Sequence, residues 1–364
     1  MKLITSPIKS ALRQFDKWRR QQMNQLESPL YALLNHKAYQ TDLLPKQEIK
    51  TILVVRNNKR IGNMYFLIPF IRQLRALYPD AQISLLLNQP WQEHVFENMG
   101  VDSFSFSRFS FKHLIYFLRT VFYLRKQVFD MIICPHSSVE DSLITAMLTG
   151  RNKIAPDHEL RNPVFTQTFK PSHRQPHMAL SNLFLLSALG HQLIEPISHH
   201  LVFTQEEEIL GRHVLKNLSY GHQNQRIMAY FRGARGKKKL SQSEWLTILQ
   251  QFENSSPVPI YWIEILSPDI TKPLTPETPT FANKNMRLLA SFLKNVDGFI
   301  CCDTGPLHLA DAAGACCFGL YNHTDPRIYG VLGSTSINMT DIHAFTMEKS
   351  LIYTPKTALH SVSR

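Results

Sequence analysis

Apolar runs alternate with helix-patterned segments along most of this chain. In the first half, the apolar runs lie at residues 50–56, 82–87 and 130–134. In the second half, they lie at residues 227–231, 259–263 and 298–302. Amphipathic segments such as residues 69–77 and 286–293 separate them. Continuous apolar strands joined through helices predict parallel sheets with right-handed crossovers. The pattern therefore predicts an α/β fold.

The length and the second series of strands indicate two domains. A chain of 364 residues is long enough for two cores of ordinary size. A charged helix follows residue 201, and a new sheet starts near residue 227. We therefore predict a basic helical extension at 1–49, an N-terminal Rossmann-like domain at 50–200 and a C-terminal Rossmann-like domain at 201–364.

Two basic segments are candidates for contact with a membrane. Residues 9–20 carry Leu12, Phe15 and Trp18 at helical spacing among Lys and Arg residues, and residues 108–128 predict a second basic, aromatic helix. Such segments can lie on an anionic lipid surface. For residues 9–20, a solvated helix packed on the domain surface is an equally good interpretation, and both stay open.

Composition indicates which kinds of molecule the protein could bind. The net charge of +12 and pI near 9.5 indicate an acidic partner such as nucleic acid, a nucleotide-sugar or an anionic membrane. The basic run at 232–239 has no interleaved aromatic side chains of the kind that stack on bases, which argues against nucleic acid. No apolar run approaches the ~20 residues of a membrane span, and no signal peptide is evident, so we expect a cytoplasmic protein.

The cysteines form two adjacent pairs plus one more residue. They are Cys134, Cys301, Cys302, Cys316 and Cys317. Neither pair has the Cys-x-x-Cys spacing of a zinc site. Because they lie in apolar runs, buried free thiols are favoured over a metal site.

Two polar turns follow the last apolar runs of the second half. Asp-Thr-Gly-Pro at residues 303–306 ends one run with a capping residue, a flexible glycine and a proline where a helix can begin. Free N–H groups at such a helix start form an anion site, and His308 would lie in the first turn. Asn-His-Thr-Asp-Pro at residues 322–326 ends the next run. Ligands in open α/β sheets bind at such strand ends.

These runs resemble glycosyltransferase family 9, the heptosyltransferase-like enzymes of lipopolysaccharide core assembly. The family pattern Asp-Ser/Thr-Gly-x-x-His-Leu-Ala matches residues 303–310, and its Gly-x-Thr-Asp-Pro turn matches residues 322–326 except that Asn322 replaces the glycine. The resemblance extends from about residue 50 to residue 335. It implies the GT-B fold, in which two Rossmann-like domains face each other across a cleft.

The resemblance also implies a donor site in the second domain. Counting back from Trp245, as the family spacing requires, selects Lys238 as the lysine that contacts the donor phosphates. Asp303 would contact the donor sugar or, alternatively, cap the helix, and Thr324 and Asp325 would contact the donor or only shape their turn. The expected donor-binding residues are Lys238, Asp303, Thr304, Gly305, His308, Thr324 and Asp325.

No metal or other cofactor is expected at this site. The chain has no Asp-x-Asp pair of the kind that holds a divalent ion in metal-dependent glycosyltransferases. Amides and a lysine offer the other way to neutralise a leaving diphosphate. We therefore expect a metal-independent reaction, and the resemblance implies inversion at the transferred carbon.

The acceptor side departs from the family pattern. The family places Gly-Asp in the first loop, with the carboxylate as the general base, whereas this chain has Gly62-Asn63. An amide is not a general base. Either His136, Glu140 or Asp141 on the next strand-end loop replaces it, or the protein is a catalytically impaired member that binds a sugar-nucleotide or glycolipid.

The resulting prediction is a glycosyltransferase with a nucleotide-sugar donor and a lipid-linked oligosaccharide acceptor. The candidate catalytic positions are Asn63, His136 and Asp303, and ADP-heptose is one candidate donor. The expected partners also include the anionic inner-leaflet surface but no nucleic acid. The expected location is cytoplasmic and peripheral to the inner membrane.

Overall fold

The computed structural model describes residues 29–31, 33–34, 42–108, 113–136, 138–171, 175–222 and 224–341. The predicted basic helix over residues 9–20 lies outside the described residues. So do most of the predicted extension at 1–49 and the last part of the chain, residues 342–364.

In the described residues, twelve strands form two six-stranded sheets, and every pairing within the sheets is parallel. The first sheet contains β1 (Thr51–Val55), β2 (Gln82–Leu87), β3 (Ser103–Phe106), β4 (Phe129–Ile133), β5 (Gly150–Pro156) and β6 (Gln167–Phe169). The second contains β7 (Arg226–Phe231), β8 (Ile260–Ile265), β9 (Thr280–Phe281), β10 (Gly298–Cys302), β11 (Cys317–Leu320) and β12 (Ile337–Met339). The fold class predicted from the sequence is confirmed.

Helices connect the strands and cover the sheets. Around the first sheet lie α1 (Ile61–Tyr65), α2 (Ile68–Leu77), α3 (Leu114–Arg125), α4 (Val139–Met147) and α5 (Phe184–Ala188). Around the second lie α6 (Gln205–Leu218), α7 (Gln242–Ser255), α8 (Met286–Asn295), α9 (Gly305–Ala313) and α10 (Pro326–Tyr329). Within the described part of the chain, no helix has the length and apolar character needed to cross a bilayer.

The central strands are apolar at consecutive positions because both of their faces are covered. In β1, Ile52 and Val54 pack into a large core that also includes residues of the second sheet. Leu53 and Val55 point to the opposite face, into a smaller core beneath α3 and α4. The larger core continues through Ile227 of β7, so apolar packing joins the two halves.

Strand order places one switch point in each sheet. The orders are β3-β2-β1-β4-β5-β6 and β12-β11-β10-β7-β8-β9. The chain runs outward in one direction from β1 and in the other from β4, and the second sheet does the same at β7 and β10. Crevices open at the carboxyl ends of such strand pairs, where ligands of open α/β folds bind.

Some predicted element bounds differ from the structure. The helix expected over residues 108–128 is α3, Leu114–Arg125, which starts later, and residues 109–112 lie outside the described residues. Gly62 and Asn63, expected in the first loop, lie instead in α1, which begins at Ile61. The domain limits at 50–200 and 201–364 stay predictions.

Candidate functional site

The loop after β1 is held by buried polar groups of neighbouring elements. The backbone N–H of Asn57 donates to Asp141 Oδ1 at 2.6 Å, and Arg56 Nη1 lies 3.3 Å from Asp141 Oδ2. The Asn57 side-chain oxygen accepts from Asn88 Nδ2 at 2.7 Å and from Ser107 Oγ at 2.5 Å. Asn88 follows β2, Ser107 follows β3 and Asp141 lies in α4. Hydrogen bonds from three neighbouring elements therefore hold this loop in place.

The loop after β1 continues into α1, and the start of α1 contacts the second half of the protein. A Cβ atom built on Gly305 would lie 2.2 Å from Ile61 Cγ2, and one on Gly62 would lie 3.1 Å from His308 Cδ2. The start of α1 therefore packs against the start of α9, and only glycine fits at Gly305 without displacing Ile61. Asn63 is the next residue of α1 and is partly exposed. The switch points of the two sheets thus meet at this contact.

Asp303 is the centre of a polar cluster at the second switch point. It follows β10, and its Oδ1 lies 3.0 Å from His308 Nε2. Its Oδ2 accepts a hydrogen bond from Thr324 Oγ1 at 2.7 Å and pairs with the ammonium group of Lys238. Lys238 also donates to the Asp303 carbonyl oxygen at 2.9 Å. Three of the predicted donor-site residues, Lys238, His308 and Thr324, therefore converge on a fourth, Asp303.

The cluster keeps Asp303 ionised. Burial alone would raise the pKa of this carboxyl group, but the hydrogen bonds from His308, Lys238 and Thr324 outweigh burial and hold the pKa well below its usual range. In the described part of the chain, the other ring nitrogen of His308, Nδ1, is buried without a hydrogen-bond partner. The favoured tautomer of His308 carries its proton on Nε2, which then donates a hydrogen bond to Asp303. A proton on Nδ1 would instead be a buried donor without a partner.

The start of α9 has a different cap from the one expected. Thr304 is the N-cap residue and makes no side-chain cap hydrogen bond, so the alternative that Asp303 caps the helix is wrong. Pro306 has no N–H group, and the N–H of Leu307 turns back to Thr304 O at 3.1 Å. The amide of Gly305 and the helix dipole are therefore what this end offers to an anion.

In the turn after β11, one side chain bonds the Asp303 cluster and another caps the helix that follows. Thr324 bonds Asp303, as described above. Asp325 is the N-cap of α10 and accepts from Arg327 N at 2.9 Å, and its carboxylate also pairs with the Arg327 guanidinium. Asn322 Nδ2 donates to Lys237 O at 3.4 Å. Asp325 thus shapes its turn, as one of the two interpretations of this residue held.

The residues considered as replacement bases are placed in different surroundings. Asp141 is fully buried in α4 and is occupied by Arg56 and Asn57. Glu140 is exposed in the first turn of the same helix. The expectation that both lie on a strand-end loop is therefore wrong.

His136 follows β4 at the first switch point and is half-buried. Its Nε2 lies 2.8 Å from Asn182 Nδ2. Burial, with the nearby Arg56 charge, holds the pKa of His136 well below its usual value, so the ring is neutral at pH 7. The Asn182 amide donates a hydrogen bond to Nε2, so the ring proton of His136 lies on Nδ1. Nε2, the nitrogen that could accept a proton, is therefore already hydrogen-bonded.

Arg232 of the basic loop and the cysteines have structural surroundings, whereas Arg235, Lys237 and Lys239 are exposed. Arg232 Nε lies 2.5 Å from the buried Glu264 Oε1. All five cysteines are buried free thiols, and burial raises the pKa of Cys302 to about 12. In the described residues no group of three or more His, Cys, Asp or Glu side chains is arranged to hold a metal ion.

Three neighbours of the cluster were not singled out from the sequence. Ile61 packs on Gly305, as described above, and the Phe66 ring meets His308 edge-on with centroids 4.6 Å apart. His177 Nε2 lies 2.9 Å from Gly330 O, which links the first half of the chain to the segment after α10. Each contact joins residues more than 100 positions apart, so local sequence patterns contain no signal for it.

The solved structures that this chain resembles share its fold. A glycosyl transferase family 9 protein from Veillonella parvula matches with a TM-score of 0.69 at 16% identity, covering 81% of this chain and 87% of that one. The Escherichia coli heptosyltransferase WaaC with ADP matches with a TM-score of 0.62 at 16% identity, covering 79% and 92%. The E. coli ADP-heptose lipopolysaccharide heptosyltransferase II matches with a TM-score of 0.60 at 14% identity, covering 79% and 89%. These likenesses show the GT-B fold.

A family sequence model matches part of the chain. No curated protein sequence matches the chain. The sequence model of glycosyltransferase family 9 (heptosyltransferase) matches residues 264–350, the part that contains the Asp303 cluster and the turn after β11. Together with the fold, this match confirms the resemblance to family 9 drawn from the sequence.

Proposed function

We propose that the protein transfers a sugar from a nucleoside-diphosphate donor to a lipid-linked oligosaccharide, with inversion and without a metal ion. The observation that carries the proposal is the meeting of the two switch points. The rigid loop after β1 reaches the start of α9 where Lys238, Asp303, His308 and Thr324 converge. A donor seated at the second switch point would present its sugar to this loop.

The donor diphosphate would bind at Lys238 and the start of α9. Lys238 is 28% exposed and is held by Asp303, so its ammonium group is positioned but still accessible from the cleft. A phosphate oxygen would accept a hydrogen bond from the Lys238 ammonium group, while Asp303 keeps that group oriented. Gly305 N–H and the dipole of α9 would add to the stabilisation of negative charge on the leaving group.

ADP-heptose is the donor class that the relatives suggest. The E. coli heptosyltransferase WaaC has been solved with ADP and with ADP-2-deoxy-2-fluoro heptose. We therefore infer an adenine nucleotide and a heptose as the first pair to test. A core oligosaccharide on a lipid at the inner leaflet would be the acceptor, and a basic protein such as this one would approach phosphorylated lipid favourably.

The acceptor hydroxyl needs a proton acceptor, and Asn63 cannot supply one. His136 is neutral at pH 7 and lies at the first switch point, so it remains the best candidate base among the predicted residues. For it to act, the imidazole would have to exchange its hydrogen bond with Asn182 for one to the acceptor hydroxyl. Asp303 would serve to orient Lys238 and His308 instead of removing a proton.

A second candidate is a binding protein that holds a nucleotide-sugar without transferring it. The amide at Asn63, the buried ion pair of Asp141 and the engaged nitrogen of His136 favour it. Its donor site would be the same. The two candidates therefore differ only in turnover.

A panel of nucleotide-sugars tests both candidates. Thermal unfolding is measured with ADP-, UDP- and GDP-sugars, because a ligand that binds only the folded state raises the melting temperature. The best ligand is then incubated with lipid-linked core acceptor, and nucleoside diphosphate release is followed. Transfer supports the enzyme, stabilisation without release supports the binding protein, and the absence of any stabilising nucleotide contradicts both.

A further inference from the structure

Helix α3, Leu114–Arg125, carries large apolar side chains on two sides. One side packs inward on the core beneath the first sheet, through Phe117, Val121 and Leu124. The other side faces solvent and contains Leu114, Ile115, Tyr116, Leu118, Phe122 and Tyr123. Ile115 is 71% exposed and Phe122 is 58% exposed. An amphipathic surface helix would place polar residues there instead.

The exposed apolar side chains of α3 form one patch. Ile115, Leu118 and Phe122 are spaced three and four residues apart, so they lie next to one another on the helix surface. Elsewhere in the described residues, large exposed apolar side chains such as Tyr220 and Leu246 occur singly along the chain, apart from the adjacent pair Ile209 and Leu210. Single exposed residues need no explanation, whereas a contiguous patch marks an interaction surface.

The charged side chains of the segment that contains α3 are all basic. The sequence from residue 103 to residue 129 contains five Lys or Arg residues and no Asp or Glu. On α3 and just after it, Arg119, Arg125 and Lys126 are exposed beside the apolar positions. A stripe of large apolar side chains bordered by cations matches an anionic lipid surface, with acyl chains below and phosphate groups above. A second copy of the chain fits poorly, because two such faces would bring like charges together.

We propose that α3 is a membrane-docking helix that lies in the plane of an anionic bilayer. Its outward apolar side chains would enter the boundary between headgroups and acyl chains, and its three exposed cations would bind lipid phosphates. The inference rests on the proposed function in one respect, since a lipid-linked acceptor would bring the enzyme to a membrane. Vesicle binding, however, is measurable without donor, acceptor or turnover.

Sedimentation with vesicles tests the docking. The full-length protein is mixed with phosphatidylcholine vesicles that contain phosphatidylglycerol, or with pure phosphatidylcholine vesicles. One variant carries I115S and F122S, and its control carries I209S and L210S, which are also exposed but lie on α6. A charge variant carries R119Q, R125Q and K126Q, and its control carries the same loss of charge at three exposed lysines of the other half, K216Q, K272Q and K284Q.

We expect binding to the anionic vesicles that salt weakens, and little binding to the neutral ones. The charge variant should bind roughly 100-fold more weakly, about fivefold for each cation removed near the surface. The apolar variant should lose at least tenfold, and both controls should lose much less. Calorimetry with ADP should give one affinity for all of them, which separates this inference from the donor site.

Two outcomes would overturn the proposal. One is that the wild type does not bind anionic vesicles, or that the controls lose as much binding as the α3 variants, which would reduce the effect to net charge. The other is a dimer, seen in sedimentation velocity, that I115S with F122S dissolves while vesicle binding is unchanged. The patch would then be an interface between copies of this chain. Vesicle binding by α3 in a protein that binds no nucleotide would leave this inference standing and refute only the proposed function.

Discussion

Replacing Lys238 by methionine separates the donor-binding role of this residue from its structural role. The substitution keeps the aliphatic stem and removes the ammonium group, which bonds the carboxylate and the carbonyl oxygen of Asp303. Asp303 would keep two of its three side-chain donors, His308 and Thr324. Lys239 is exposed in the same loop, so Lys239→Met is the control with the same change of charge.

The contacts of Lys238 set the expected losses of stability and of nucleotide affinity in Lys238→Met. A hydrogen bond to a charged group contributes about 1.5–3 kcal/mol, but Lys238 is 28% exposed and water would partly replace it. We therefore expect the free energy of unfolding to fall by about 1–2 kcal/mol. Loss of a charge-assisted contact to the diphosphate should weaken nucleotide binding by about 1–3 kcal/mol, roughly 5- to 150-fold.

The pH dependence of stability provides a second readout. Because the folded pKa of Asp303 is depressed, its ionised form contributes stability above the unfolded pKa of about 3.9, and this is lost as pH falls through the folded pKa. Lys238→Met removes one cause of the depression. The difference in stability between wild type and variant should therefore be constant above about pH 5 and should shrink in more acidic solution.

Calorimetric titration with ADP and urea unfolding at several pH values measure these effects. Lys239→Met should change the affinity and the stability little. Unchanged affinity in Lys238→Met, or an equal loss in both variants, would refute the assignment of Lys238 to the phosphates. A loss of affinity with no change in stability would show that the pairing with Asp303 is not maintained in solution.

The other predictions concern the base, the metal and the histidines. With His136 as the base, His136→Ala should abolish transfer and Asn63→Asp should change turnover little. A rise in turnover of roughly 10²–10⁴-fold in Asn63→Asp, the contribution of a positioned general base, would contradict this role of His136. Excess chelator should leave turnover unchanged, and loss that Mg²⁺ or Mn²⁺ restores would contradict the metal-independent proposal. Burial lowers the pKa of His177, His191 and His200, so these rings resist protonation in the folded state while unfolded rings accept protons below about pH 6.5. Stability measured by urea unfolding should therefore fall as pH drops from 7 to 5, and a constant or rising stability would refute this sign.

The sequence was sufficient for the fold because the strands carry their own signal. In β1 and β10, consecutive apolar residues predict strands covered on both faces, and the structure has Thr51–Val55 and Gly298–Cys302 there. Helix ends were less well predicted, as for α3, because apolar and basic residues continue beyond Arg125 without a stop signal. Ile61, where α1 begins, packs against Gly305, a tertiary contact for which the local sequence carries no signal.

The candidate site was predicted residue by residue but not in its contacts. The turn patterns indicated Asp303, His308 and Thr324, and the family spacing indicated Lys238. Their convergence on one carboxylate depends on strand order, because β7 and β10 are neighbours only in the folded sheet. For the same reason the sequence did not reveal that Asp141 holds the loop after β1.

Product analysis after a single turnover tests whether this cleft transfers a sugar from the donor to the acceptor. The protein, in excess over ADP-heptose, is mixed with a lipid-linked core acceptor, and the acceptor mass and the anomeric configuration of the new bond are determined by mass spectrometry and NMR. We expect an acceptor heavier by one sugar, release of ADP, inverted configuration and loss of the product in Lys238→Met. Donor hydrolysis or binding without any modified acceptor, across the panel of nucleotide-sugars, would contradict the claim that this cleft transfers sugars.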